Sequence, residues 1–170
     1  MATNLEFIKS ASGTASTLDV TDLFSDRYDV YKIVIPTFSR TTANWNLEMR
    51  LLNSSGTPIT TLYDNAGLIM VSYGAFGEHR NPNNDCFDVI GYNTTDVGFG
   101  AVMYIYNPYD SSSYTFLQQQ SLGWVNGSGL AGYKVIGVHK SAQQITGVQF
   151  GIYQSAGIMN NIEVSVYGVK

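Results

Sequence analysis

The chain has 170 residues and a formal net charge of −4, with 13 acidic side chains against 9 basic ones. This length predicts one domain spanning residues 1–170, and such a chain can bury a core without help from a metal or a disulfide. It contains no run of basic residues and no apolar stretch of about 18 residues, so we expect neither nucleic-acid binding nor insertion into a membrane.

The N-terminal half contains three strand patterns. Residues 1–9 can form a first strand, and the small polar run Ala11–Thr17 indicates a loop or a loose edge. Tyr28–Pro36 alternates over two faces, and Pro36, which cannot donate to a strand ladder, should end the strand or lie at an edge. Trp45–Leu52 alternates apolar and polar side chains, which predicts a half-buried strand with Glu48 directed outward.

The middle of the chain is less regular. Gly74–Asp85 carries an Asn-Pro-Asn-Asn run and is predicted to be a surface loop. Phe99–Asn107 is apolar on both faces and predicts a central strand. Tyr114–Leu122 indicates extended structure, although Gln118–Gln120 within it could turn helical. Trp124–Gly132 is rich in turn residues.

The C-terminal stretch Ile145–Lys170 predicts two strands and the reversal between them, and we expect the other strands to stack around this pair. The first, Gly147–Tyr153, is apolar or small on both sides. The second alternates with Glu163 outward, and Gln154–Gly157 followed by Asn160–Asn161 supplies the reversal. With Tyr133–His139, the chain has about nine to eleven short strands, which predicts an all-β fold, a sandwich or a barrel.

Residues able to perform catalysis or bind a metal are scarce. A metal site would use His79, Asp85 and Cys86, but their spacing fits no standard zinc pattern and a fourth ligand is missing. The simpler interpretation is a polar loop beside a buried free cysteine, and an exposed His139 at the end of a strand. A Cys–His nucleophile pair has nothing to orient it. We therefore expect no catalytic residue, no metal and no cofactor.

Two aromatic residues in turn-rich segments are candidates for contact with a partner. Tyr109 lies in NPYDSSS and Trp124 in LGWVNGSG. Exposed aromatic rings on loops stack on sugars or anchor subunit contacts, and the alternative is a ring folded back over the edge of the core.

Cysteine usage and surface composition give two further indications. Cys86 is the only cysteine, which excludes an internal disulfide, and no secretory signal is visible, so we expect synthesis in a reducing compartment. Charged residues make up 13% of the chain, and there are 12 tyrosines. This composition suits a surface covered by copies of the same chain, or equally an uncharged polar surface with no partner.

Several strand patterns resemble those of small virion proteins of tailed bacteriophages, including phages of marine and cyanobacterial hosts. The segments that carry the resemblance are Tyr28–Ile35, Leu47–Leu52, Ser55–Gly56, Tyr63, Ile145–Val148, Gly157–Ile158 and Val166–Val169.

The resemblance implies a jelly-roll-like antiparallel β-sandwich with a structural or adhesive role in the virion. A capsid decoration (cement) protein would form a homotrimer and bind the major capsid protein through loops and an extended N-terminal arm, residues 1–17. The alternative is a tail-fibre or receptor-binding domain that recognises a cell-surface glycan. The chain has no coiled-coil heptads and no fibre shaft, which favours the decoration role. An enzyme acting on glycans would need clustered acids or a Ser–His site.

Overall fold

The computed structural model describes residues 4–40, 46–92, 98–125, 127–153 and 157–170. Twelve strands and no helix occur within these ranges. The strands are β1 (Leu5–Gly13), β2 (Thr17–Val20), β3 (Val30–Arg40), β4 (Asn46–Asn53), β5 (Tyr63–Val71), β6 (Gly77–Asn84), β7 (Phe87–Tyr92), β8 (Phe99–Tyr106), β9 (Thr115–Val125), β10 (Gly129–His139), β11 (Ile145–Ile152) and β12 (Met159–Val169).

The strands form two antiparallel sheets packed together as a β-sandwich, which confirms the predicted fold class. The larger sheet has eight strands in the order β1-β12-β3-β8-β9-β10-β5-β6. The smaller has four, in the order β2-β11-β4-β7. Since neighbouring strands run antiparallel, each sheet can bury one face and leave the other in contact with solvent.

Eight of the strands pair in a nested order. Within the larger sheet β1 pairs with β12 and β3 with β8. Within the smaller sheet β2 pairs with β11 and β4 with β7. The first four strands therefore pair, in reverse order, with β7, β8, β11 and β12, and successive pairs alternate between the two sheets.

The remaining four strands extend the larger sheet beyond β8. They are the antiparallel pairs β5–β6 and β9–β10, which join through a ladder between β10 and β5. The inner face of this extension packs on β7, which contacts β8, β9, β10 and β5. Phe87 of β7 lies so close to Gly137 of β10 that a Cβ there would be 2.7 Å from the ring, so a larger residue would separate the two sheets.

The core lies between the sheets and contains side chains from both. Tyr31, Ile33 and Ile35 of β3 are fully buried, as are Phe150 of β11 and Val166 of β12. Side chains alternate along these strands, because successive residues point to opposite faces of a sheet. The apolar patterns that predicted β3, β8 and β12 therefore correspond to the buried face.

Three predictions about individual segments are wrong. Pro36 neither ends its strand nor lies at an edge, because β3 is an interior strand that continues to Arg40, and a register shift between Ile35 and Phe38 accommodates the proline. Gly74–Asp85 contains strand β6, an edge strand whose polar residues and Pro82 are tolerated because one side of it has no strand partner. The extended structure predicted for Tyr114–Leu122 is confirmed by β9, and the alternative of a helical turn at Gln118–Gln120 is not adopted, because two apolar strands flank that segment. The turn in Trp124–Gly132 is shorter than predicted, since β9 continues to Val125 and β10 begins at Gly129.

The two C-terminal strands do not form the predicted pair. β11 belongs to the four-stranded sheet and β12 to the eight-stranded sheet, so the chain crosses between the sheets after Ile152. Residues 154–156 of the predicted reversal lie outside the described residues, as does Trp45 at the start of the strand predicted for Trp45–Leu52. Asn160–Asn161, which was predicted to belong to the reversal, lies within β12. In the segment proposed as an N-terminal arm, Leu5–Gly13 is the edge strand β1 and pairs with β12.

Candidate functional site

The two candidate contact aromatics lie in different surroundings. Tyr109 is partly buried and packs against the core, as the ring-folded-back alternative describes. Trp124 lies on β9, with about half of its surface exposed on the outer side of the eight-stranded sheet. Of the two, Trp124 is therefore the ring available to a partner.

Strand β9 exposes several apolar residues besides Trp124. Its burial alternates without a break over 11 residues, so that Thr115, Leu117 and the following odd-numbered residues face the core. The even-numbered residues point outward, and they include Phe116 and Leu122, which is 65% exposed. The outer side of this strand is thus apolar at both ends and polar at Gln118 and Gln120.

The neighbouring strands and one loop continue this exposed surface. We define the outer apolar face as the large aliphatic, phenylalanine and tryptophan residues exposed on β5, β9 and β10 and in the β5–β6 loop. They are Leu68, Met70, Phe76, Phe116, Leu122, Trp124, Leu130 and Ile136. Phe76 is the most exposed, at 77%. The sequence analysis named Trp124 but missed the other seven, whose outward direction depends on strand register.

Strand pairing brings these residues together. Trp124 of β9 lies opposite Leu130 of β10. Leu122 lies between Gly100 of β8 and Gly132 of β10, and Gly132 lies opposite Met70 of β5. Since glycine has no side chain, Leu122 stands as a ridge between two low positions.

Two hollows accompany these ridges. The larger is an open groove of about 1080 Å³. Its lining includes Phe76, Leu122, Trp124, Gly100 and Gly132. A second hollow of about 610 Å³ lies further along the same face, and Phe116 and Ile136 are among its lining residues. The face therefore has a shape that can receive apolar side chains from a partner.

Charge is nearly absent from the centre of this face. Among the outward positions of β9 and β10, all of which the structure describes, Lys134 is the only charged residue. Glu78 and Arg80 are exposed on the edge strand β6, on the far side of β5. A surface that is apolar in the middle and charged at its border has the anatomy of a protein interface.

The histidine that the sequence analysis placed in a loop is held by a buried carboxylate. His79 of β6 lies with its Nε2 2.8 Å from Oδ1 of Asp88, and Asn81 donates to the other oxygen of Asp88 at 2.7 Å. These contacts join the edge strand β6 to β7. In the described ranges no serine hydroxyl or cysteine thiol hydrogen-bonds to His79.

Glu48 and Cys86 lie side by side in the interior. The predicted burial of Cys86 is confirmed, whereas Glu48 is buried and the prediction that it points outward is wrong. Glu48 accepts hydrogen bonds from Arg50 and from the thiol of Cys86, and Arg50 also binds Asp85 at 2.6 Å. Burial raises the pKa of Glu48, with Arg50 opposing that rise, and burial also raises the pKa of the Cys86 thiol. The thiol is therefore held in its unreactive form.

His139 lies in the core and not at an exposed strand end, so that prediction is wrong. It is the last residue of β10, and its ring is fully buried against Tyr63, with 4.9 Å between ring centroids. Its partners in the two flanking ladders are Tyr63 and Thr115. Successive side chains of β10 point to opposite faces of the sheet, and His139 lies four residues after the buried Val135, so its side chain points inward as well.

Neither metal ligands nor similarity to known proteins points to another site within the described residues. Across the part of the chain that the structure describes, no group of three or more His, Cys, Asp and Glu side chains could hold a metal ion. The same residues include no helix long and apolar enough to cross a membrane. No protein-family model matches the chain, and no curated protein matches it. The outer apolar face is accordingly the candidate functional site.

Proposed function

We propose that the protein is a non-enzymatic structural component of a tailed-phage virion, a capsid decoration protein that binds the shell and further copies of itself. The observation that carries the proposal is the outer apolar face, which exposes eight large apolar residues on one side of a sheet. Isolated monomers rarely leave so much contiguous apolar surface in water, so a surface of this kind indicates a binding partner.

The strand order supports the proposal from a second direction. Eight strands paired in nested order and divided between two sheets are the arrangement expected of a jelly roll, a fold that viral capsid proteins use. The proposal therefore includes a jelly-roll-like body, β1–β4 with β7, β8, β11 and β12, to which the chain adds the sheet extension. It agrees with the strand patterns that resemble phage virion proteins.

A glycan-binding role at the tip of a tail fibre is the second candidate. One observation favours it, which is that the ring of Trp124 is half-exposed beside an open groove. An aromatic ring of this kind can stack on a sugar. The surrounding residues of the outer face are mostly aliphatic, which gives a sugar few hydrogen-bond partners and places this candidate second.

Copy number in purified virions distinguishes the two roles. A decoration protein should be present in amounts comparable to the major capsid protein, whereas a fibre tip should be present at a small fraction of that amount. Quantitative mass spectrometry of gradient-purified particles, with the major capsid protein as internal reference, makes the measurement. Absence of the protein from such particles would contradict both roles.

A further inference from the structure

We propose that a second copy of this chain docks on the outer apolar face, so that the faces of two copies pack against each other around a twofold axis. The inference rests on the proposed function in one respect, since a decoration protein works through contacts between copies. It goes further by naming the surface, the symmetry and the residues at the contact.

The size of the face matches what a stable pair needs. Its eight residues are on average about half exposed. Together they present roughly 900 Å² of accessible surface, taking about 200 Å² for a fully exposed large apolar residue. A standard protein interface buries about 800 Å² on each partner. The face is thus large enough to hold two copies together without help from another surface.

The chemistry of the face suits another copy of itself. Homodimer interfaces are more apolar than other interfaces and are depleted of charge at the centre. The outward positions of β9 and β10 carry one charge, that of Lys134. Glu78 of β6 lies in the same row of the sheet as Lys134, opposite Leu68 and at the border of the face, so the centre of a contact between two copies contains little charge.

The surface shape of the face, with its protruding side chains and hollows, also allows self-association. Leu122 stands as a ridge between the low positions of Gly100 and Gly132, and the groove of about 1080 Å³ lies beside it. A face that carries both ridges and hollows can insert its ridges into the hollows of an identical face. This is the shape complementarity that an isologous contact requires.

The rest of the described surface indicates why the contact should be twofold. In a cyclic trimer the face of one copy would have to cover a different surface of the next. Within the described residues, the other exposed large apolar residues are Leu5 and Phe7 on β1 and, outside the strands, Leu62, Tyr73, Tyr114 and Ile158. Only Leu5 and Phe7 share a strand, and two side chains do not match a face of eight. Packing face on face covers both apolar surfaces at once.

The test compares the mass in solution of the wild-type chain with that of face variants. Leu122→Gln/Trp124→Gln places glutamine on β9 at outward positions, where the strand already carries Gln118 and Gln120. The matched control is Phe7→Gln, which removes an exposed aromatic ring from β1. We expect a wild-type dimer, or a higher even multiple, by light scattering and sedimentation. The double variant should raise the dissociation constant by at least about 30-fold, as the loss of an interface hot spot does.

A second variant keeps the test informative if the first one fails to fold. Ile136→Lys changes a different strand and puts two added charges into a twofold contact, so it should also give monomers. Circular dichroism and the thermal midpoint of each monomeric variant check that the fold is intact. The control Phe7→Gln should remain a dimer.

Several outcomes would overturn the inference. These are a wild-type monomer at all accessible concentrations, a stable trimer, or equal dissociation of the Phe7→Gln control. A monomer whose binding to capsids is lost in the double variant would assign the face to the capsid protein instead, and the proposed function would survive. A face-dependent dimer that is absent from virions would keep the inference and defeat the proposed function.

Discussion

His139 is a titratable side chain enclosed in the core, where water cannot solvate its charge. Neither ring nitrogen has a hydrogen-bond partner among the described residues. Burial consequently lowers the pKa of His139 below its ordinary value of 6.5. The unfolded chain, in which the ring is hydrated, binds a proton more readily than the folded protein does as the pH falls.

This difference predicts a loss of stability in mild acid. The contribution of His139 is fully present above pH 6.5 and declines as the pH falls below that value toward the lowered pKa of the folded state. His139→Gln cannot take up the proton, so its free energy of unfolding should depend less on pH between about 5 and 7.5. Urea titrations of both proteins across this range measure the two slopes. Parallel slopes would contradict the prediction, even if the variant were less stable throughout.

At the scale of elements, one arginine links strand β4 to the connection between β6 and β7. Arg50 of β4 binds Glu48 of the same strand and also Asp85, which lies just before β7. Glu48 is nearly inaccessible to solvent, whereas the Arg50 side chain is 18% exposed. An interior carboxylate that loses its partner has to remain charged without compensation or take up a proton, and either change costs free energy.

Arg50→Met should therefore destabilise the protein by roughly 3 kcal/mol at neutral pH. The loss should shrink as the pH falls, because Glu48 can then become neutral. Glu48→Gln/Arg50→Met removes both charges and should recover most of the stability. The exposed pair formed by Arg27 and Glu6 supplies a control, since Arg27→Met should cost less than about 1 kcal/mol. Thermal and urea unfolding of the wild type and the three variants gives their free energies of unfolding. A double variant no more stable than Arg50→Met would contradict the prediction that the unpaired charge of Glu48 causes the loss.

How far the sequence predicts this fold differs from strand to strand. β3 and β12 were predictable because each alternates between a buried and a solvated side. β6 was not, because an edge strand held by polar contacts such as His79–Asp88 lacks an apolar pattern. Likewise, local patterns could not reveal that β11 and β12 lie in different sheets, since sheet membership depends on contacts between distant parts of the chain.

The candidate site was predictable only in part for the same reason. Trp124 was predicted to be a contact residue because it is aromatic and is followed by turn residues, although it lies within a strand. Leu122 and Ile136 look like ordinary core residues in the sequence, and only the alternation of β9 and β10 against a packed inner face sends them outward. An apolar residue on an interface and one in a core have the same chemistry, so a single sequence does not separate them.

At the scale of the whole molecule, the proposed association through the outer apolar face would link stability to protein concentration. If folded copies pair and unfolded chains do not, mass action stabilises the folded state as the concentration rises. The thermal midpoint of the wild-type protein should then increase over a hundredfold range of concentration. That of Leu122→Gln/Trp124→Gln should stay constant. Differential scanning calorimetry at a fixed scan rate tests this, and a constant midpoint for the wild type would argue against the pairing.

The nested strand order also determines which strand pairs can form before the chain is completely synthesised. β1 has its ladder partner in β12, so a ribosome must complete nearly the whole chain before the first strand can pair. Contacts between distant segments form slowly, because closing a long loop costs entropy before any contact is gained. The β9–β10 hairpin, by contrast, joins strands that are neighbours in sequence and can form early. The β5–β6 hairpin is equally local and is synthesised earlier. During synthesis the outward apolar residues of both hairpins are therefore presented before the sandwich that supports them has closed.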